Sequence, residues 1–222
     1  MDLNNHKEIV ECFSIEAFAA SPNLLAVSVA KTPCGYHTGI IYKDIDESVF
    51  VLHLAWHEIL RKEEIHEAGF CVWVPPNFMH EHNAEAAAEF LNSIYKRYER
   101  DGLPYGLFFD GTAKFNNIGE LTYGNGMGLT CATFVLAVLD NIGYMLCDID
   151  DWESRLDEDE QWLRCILSQI TVNSVLKNQL NNELGCLRYK PCEVAGSSFK
   201  HHTPVKFELA KQLAESIEMQ LS

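Results

Sequence analysis

Gly124-Asn125-Gly126-Met127-Gly128-Leu129-Thr130-Cys131-Ala132-Thr133-Phe134-Val135-Leu136-Ala137-Val138-Leu139 is the stretch around which the chain is organised. A glycine-rich approach meets a threonine and a thiol, and an almost wholly apolar run follows to Asn141 and Gly143. Apolar residues on every side predict a helix sunk in the core. Thr130 is the natural N-cap, because a hydroxyl oxygen satisfies an otherwise free N–H of the first turn. Cys131 then opens the helix, where free N–H groups and the positive end of the helix dipole favour a thiolate. Taken alone, the stretch reads equally as a core helix opening on a buried thiol. The glycines before it are read as the loop that lets substrate approach.

Upstream, Leu103 to Gly128 is Gly- and aromatic-rich without a period, long enough for an irregular segment to be functional. Before it, Ala87, Phe90, Leu91, Ile94, Tyr95 and Tyr98 recur at helical spacing, predicting a helix from Ala84 to about Arg100, capped by Asn83 and ended by Asp101-Gly102. Leu24 to Ala30, Tyr36 to Lys43, Val49 to Ala55 and Gly69 to Val74 read as strands, the last stopped by Pro75-Pro76. Asp44 to Ser48 has hairpin length, so the strands on either side of it are antiparallel neighbours. Trp56 to Glu67 reads as a short charged helix, and residues 1–22 as a helical or irregular N-terminal extension.

Downstream, an acidic turn at Asp148-Ile149-Asp150-Asp151 leads to a helix from Glu158 to about Leu180. Gly185 to Tyr189 reads as a last strand and Lys190 to Ala195 as a turn. Thr203-Pro204 opens a terminal helix within residues 200–222. Strands bunched early and helices elsewhere predict an α+β fold, an antiparallel sheet covered by helices, in a single domain over 1–222.

The 222 residues, 47% hydrophobic, suffice for one well-filled core. A formal charge of -15 argues against nucleic acid or an anionic membrane surface as partner, since both call for clustered Lys and Arg. No uninterrupted apolar run approaches 18 residues and residues 1–8 have no leader-like pattern, so no integral membrane segment is expected and the expected location is the cytoplasm, delivery elsewhere as an effector being compatible. The eight cysteines are scattered with no CxxC pair. Neither a zinc site nor a compact disulfide framework is expected, but reduced thiols. No cofactor is implied.

A nucleophilic cysteine needs a base, and the base an orienting partner. Of nine histidines, His6, His80, His82, His201 and His202 lie in termini, turns or helix starts, and His57 and His66 flank a charged segment that is expected to be solvated. His37 and His53 lie in the two strands of the hairpin, which brings them to the same end of the sheet. Each alone is commonly a satisfied structural histidine. Together with Cys131 they read as a thiolate–imidazolium couple, with His37 the general base and His53 fixing its tautomer. A zinc site on His37, His53 and Cys131 is the competing constellation, without a recognisable fourth ligand.

Gly35-Tyr36-His37-Thr38-Gly39-Ile40-Ile41-Tyr42, Val51-Leu52-His53-Leu54-Ala55 and the distant Thr130-Cys131-Ala132-Thr133-Phe134-Val135 together resemble the circularly permuted NlpC/P60 group of papain-like folds, which includes lecithin retinol acyltransferase-like proteins and bacterial cysteine hydrolases. Arg188-Tyr189-Lys190-Pro191 resembles an Arg-x-x-Pro segment of some bacterial members. The resemblance implies a papain-like permuted NlpC/P60 fold with Cys131 as nucleophile, His37 as base and His53 as orienting residue. It departs from the family at Ala132-Thr133, and it names no oxyanion donor. The Cys131 N–H is the default, with Tyr36 and Tyr123 as candidates whose simpler role is packing.

The expected activity is that of a cysteine peptidase or amidase. The alternatives are an acyltransferase, a lipid or thioester hydrolase of lecithin retinol acyltransferase-like type, and a non-catalytic papain-like module presenting residues 103–128 to a protein partner. A redox sensor using Cys131 would need a resolving cysteine nearby. The expected substrate is a peptide, amide or acyl compound, with a peptide slightly favoured because no membrane anchor is recognisable.

Overall fold

The computed structural model describes residues 9–77, 84–169, 174–200 and 202–222. His6, His80, His82, His201 and the Asn83 cap lie outside them. Among the described residues, β1 (Phe13–Ser14), β2 (Leu25–Thr32), β3 (Gly35–Lys43), β4 (Val49–Trp56), β5 (Ile59–Glu64) and β6 (Val72–Val74) form one antiparallel sheet in the order β1-β6-β2-β3-β4-β5. A two-stranded ribbon, β7 (Lys114–Phe115) and β8 (Leu121–Thr122), interrupts the irregular segment. The helices are α1 (Ala84–Tyr98), α2 (Cys131–Asn141), α3 (Leu156–Gln169), α4 (Ser174–Asn182), α5 (Pro191–Ser198) and α6 (Phe207–Gln220). The chain is therefore α+β, and the β3–β4 hairpin is antiparallel as its connection predicts.

Strand alternation divides the core. Val27 and Val29, Ile40 and Tyr42, and Leu52 and Leu54 point into the large cluster shared with α2, where Ala132 and Phe134 to Leu139 are buried. Ala26 and Ala30, Ile41, and Val51 point the other way, into a smaller cluster with Ile15, Phe18, Phe70 and Trp73. With both faces covered, a one-residue slip of register would exchange the two sets, so the pairing is strongly specified.

Four local expectations are corrected. The charged segment expected as a helix is strand β5, because its charges are matched by partners distant in sequence. Lys62 bonds Asp44 and Asn92, and Glu63 bonds His53. Over 158–180 the structure describes α3 and α4, residues 170–173 between them lying outside the described residues. Residues 185–189 form no strand. Lys190–Ala195 is no turn: Pro191 is the first residue of α5, where its missing N–H costs nothing, and the Glu193 carboxylate accepts the Lys190 N–H at 2.9 Å. The N-terminal extension contributes β1 and a 3-10 turn over Ile15–Phe18. The thiols are not all reduced either, since Cys34 and Cys165, 131 positions apart, form a disulfide. No short spacing could have signalled it.

Candidate active site

Thr130 caps α2 as its sequence predicts. Its hydroxyl accepts the Thr133 N–H at 3.1 Å, and the Thr133 hydroxyl accepts the Thr130 N–H at 2.8 Å. Cys131 is the first residue of the helix. The glycines ahead of it do something other than admit substrate. Segments 104–106 and 128–129 run side by side through Leu129 N–H to Pro104 carbonyl and Gly106 N–H to Leu129 carbonyl bonds. A Cβ on Gly128 would meet the Pro104 carbonyl at 2.5 Å. Glycine allows this backbone contact, which sets Tyr105 in the wall of the cavity that Cys131 also borders.

On the sheet, His53 Nε2 lies 2.9 Å from a Glu63 carboxylate oxygen, and His53 Nδ1 lies 2.8 Å from His37 Nε2. The Phe70 ring packs edge-on to His53 and tilted to His37. A carboxylate only accepts, so His53 Nε2 carries the proton. Burial holds the His53 pKa below its usual value against the pull of Glu63, so its neutral Nδ1 accepts. His37 Nε2–H must then donate to it. The chain Glu63–His53–His37 therefore leaves one bare nitrogen, His37 Nδ1. Gly39 makes the approach of the strands possible, since a Cβ there would lie 2.8 Å from the Cβ of His53.

His37 and Thr38 are consecutive and leave β3 on opposite faces. Ala30 and Ile41 mark the His37 side, while the helix α2 packs on the Thr38 side. The backbone N–H of Thr38 acts on the Cys131 thiol, opposing the rise of its pKa. Among the described residues the thiol has no hydrogen bond to either histidine. β3–β4 pairing runs only as far as Ile40 opposite Leu52, so the edge of β3 at 36–38 is open on that side, and His37 and Cys131 both border one cavity.

That cavity has a volume of about 620 Å³. Leu54 and Tyr105 line it together with Trp162, Leu163 and Ile166 of α3, with Arg188 as its cation. The Arg188 guanidinium stacks on Trp162 at 4.0 Å and bonds Asp159 at 3.2 Å.

The expected thiolate–imidazolium couple is not the resting state. Burial raises the Cys131 pKa, opposed by the Thr38 and Ala132 N–H groups and by Arg188. Burial, with the neighbouring His53, lowers His37 to about 3. Both groups rest neutral, which suits a base that takes the proton during attack. A stability consequence follows. An unfolded His37 titrates near 6.5 and the folded one near 3, so between these values the unfolded chain holds more protons and stability falls as pH falls. In thermal melts from pH 7 to pH 4, His37→Gln is expected to lose less of its melting temperature than wild type. Parallel curves would contradict the assignment.

Of the tyrosines singled out, Tyr36 borders the cavity, but its hydroxyl lies in the field of Glu218 and Cys192. Tyr123 is exposed, near Tyr98 and Arg97, and is not part of the cavity wall. The phenol near the thiol is Tyr105, whose pKa burial and Cys131 push far up, so it remains a donor. Sequence reasoning missed it, because only the Gly106–Gly128 contact distinguishes it from the other tyrosines. Glu63 was hidden by the helical reading of its segment. His57 is not solvated: its Nδ1 accepts the Tyr105 N–H at 3.2 Å and its Nε2 lies 3.5 Å from Glu58. His66 and His202 are exposed.

Among the described residues, no group of three His, Cys, Asp or Glu side chains is placed to hold a metal ion, and no helix is long and apolar enough to cross a membrane. No family model, curated protein or solved structure matches this chain.

Proposed function

We propose that the chain is a thiol acyl-transfer enzyme, a cysteine hydrolase of the permuted NlpC/P60 type that its strand and helix motifs resemble. Cys131 attacks a carbonyl carbon while its proton passes to His37 Nδ1. The tetrahedral oxyanion forms beside the Cys131 N–H and the Tyr105 hydroxyl. As the carbon–heteroatom bond breaks, His37 returns the proton to the leaving amine or alcohol, and a thioester remains on Cys131. Water attacks the thioester, His37 takes its proton, and the thiol leaves as the acid is released. An amine or alcohol replacing water makes the same site an acyltransferase. The observation that supports the reading is the Glu63–His53–His37 chain, which leaves an oriented, unprotonated nitrogen on His37, a residue that borders the same cavity as Cys131.

The aliphatic and aromatic wall formed by Leu54, Leu107, Leu163, Ile166 and Trp162 favours carbonyl compounds with an apolar acyl side over polar peptides. A series of p-nitrophenyl esters from acetyl to decanoyl, run beside peptidyl anilides, tests this. The expected result is turnover that rises with acyl length and vanishes in Cys131→Ala; turnover surviving that change would remove the assignment. Gly39→Ala tests the relay without altering a reacting group. Its Cβ drives His53 away from the strand, and kcat/KM is expected to fall about 100-fold, as misplacement by about 1 Å does elsewhere. An active Gly39→Ala enzyme would show that the His53 contact is dispensable.

A further inference from the structure

Helix α3 covers the cavity as a separate wall, and its two halves are held differently. Toward its N-terminal half the ties are polar: Glu158 to Lys190 at 2.9 Å, Asp159 to Arg188 at 3.2 Å, and Trp162 under the Arg188 guanidinium. All of them reach the segment that leads into α5. Toward the other half, Leu163 and Ile166 are buried, and Cys165 is joined to Cys34. Cys34 sits between β2 and β3, two residues before Tyr36, and itself borders the cavity. The disulfide thus ties the wall to the β2–β3 turn, at the rim of the cavity that His37 and Cys131 also border. Neither half of the cystine is fully buried, so a reductant in solvent reaches it.

We infer that the Cys34–Cys165 bond is a reducible clasp that holds α3 closed over Cys131, and that its reduction widens the cavity for bulky acyl substrates. The inference rests on the proposed site only for the role of the thiol it shelters. In the opening step a dithiol thiolate attacks one cystine sulfur, and its second thiol closes a cyclic disulfide. The dithiol gives up two electrons, and Cys34 and Cys165 leave as thiols with two protons. Afterwards the ion pairs with Arg188 and Lys190 still anchor the N-terminal half of α3, so the wall pivots and the fold remains. These ties hold only the N-terminal half, so the covalent tie is what closes the other half.

The test compares oxidised wild type, wild type reduced with dithiothreitol and freed of it without air, and a Cys34→Ser/Cys165→Ser variant. Each is labelled at pH 8.5 with iodoacetamide or with N-(1-pyrenyl)maleimide, and modification is read cysteine by cysteine by peptide mass spectrometry. The small probe is expected to modify Cys131 at similar rates in all three, and the pyrenyl probe about tenfold faster in the two opened forms. Cys147 and Cys192, buried elsewhere in the core, are expected to stay slow. Equal pyrenyl rates at Cys131 in the oxidised and opened forms would overturn the clasp. So would a simultaneous rise at Cys147 and Cys192, which would mean general loosening. Ester turnover measured on the same samples keeps the two ideas apart: labelling reports the clasp even if no ester is cleaved, and loss of turnover in Cys131→Ala reports the function even if the clasp fails.

Discussion

His37→Ala is expected to lower kcat/KM for ester cleavage by about 10²- to 10⁴-fold, the usual loss on removing a general base. Cys131→Ala is expected to abolish acyl-enzyme formation. The magnitude follows from the resting protonation states. The thiol is buried with its pKa raised, so at neutral pH little thiolate exists unless a neighbour takes the proton as attack begins. His37 Nδ1 is the nitrogen left free by the relay, and with a pKa near 3 it stands unprotonated throughout the neutral range. Burial therefore preserves the base but weakens its driving force, and the Thr38 N–H and Arg188 have to stabilise the developing thiolate. His53→Ala is expected to cost less than His37→Ala, because it frees the imidazole to choose the wrong tautomer without removing it. Glu63→Gln is expected to cost less again, since a carboxamide still accepts from His53 Nε2. Steady-state kinetics across the three variants check the order. Equal losses at His53 and Glu63 with none at His37 would break the assignment of roles.

Arg155→Met is expected to destabilise the fold by about 3–5 kcal/mol, the cost of leaving a buried charge unpaired. Glu193 is 1% exposed at the first turn of α5, and Arg155 is its ion-pair partner. The same guanidinium donates to the Arg188 carbonyl at 2.5 Å. Without it, the Glu193 carboxylate keeps only the Lys190 N–H among the described residues. The loss should appear in urea unfolding as a lower midpoint at constant slope. Arg155→Met combined with Glu193→Met should recover most of it, because a buried pair replaced by apolar groups is often neutral. An Arg155→Met protein within about 1 kcal/mol of wild type would show that the pair contributes little to stability.

What could be read from the sequence was what local chemistry determines. The Thr130 cap, Cys131 at the helix start, and the meeting of His37 with His53 depend on neighbours a few positions away or on a single hairpin. Strand β5 was misread because Lys62 and Glu63 look solvated until Asp44, Asn92 and His53 are known to face them. Tyr105 was invisible because its place depends on two glycines 22 positions apart in sequence that let two backbones touch. The protonation of the pair was misjudged for a related reason. A helix N-terminus favours a thiolate, but tertiary burial opposes it, and no local pattern shows how deeply Cys131 is enclosed.

The central claim is that Cys131 carries the acyl group. Rapid-quench mixing of the protein with p-nitrophenyl octanoate, followed by digestion and mass spectrometry, tests it at residue level. The account predicts an octanoyl adduct on the peptide bearing Cys131, cleaved by hydroxylamine as a thioester is, formed much more slowly in His37→Ala and absent in Cys131→Ser as a thioester. An adduct confined to the exposed Cys71, or one on Cys131 that forms equally fast without His37, would contradict it.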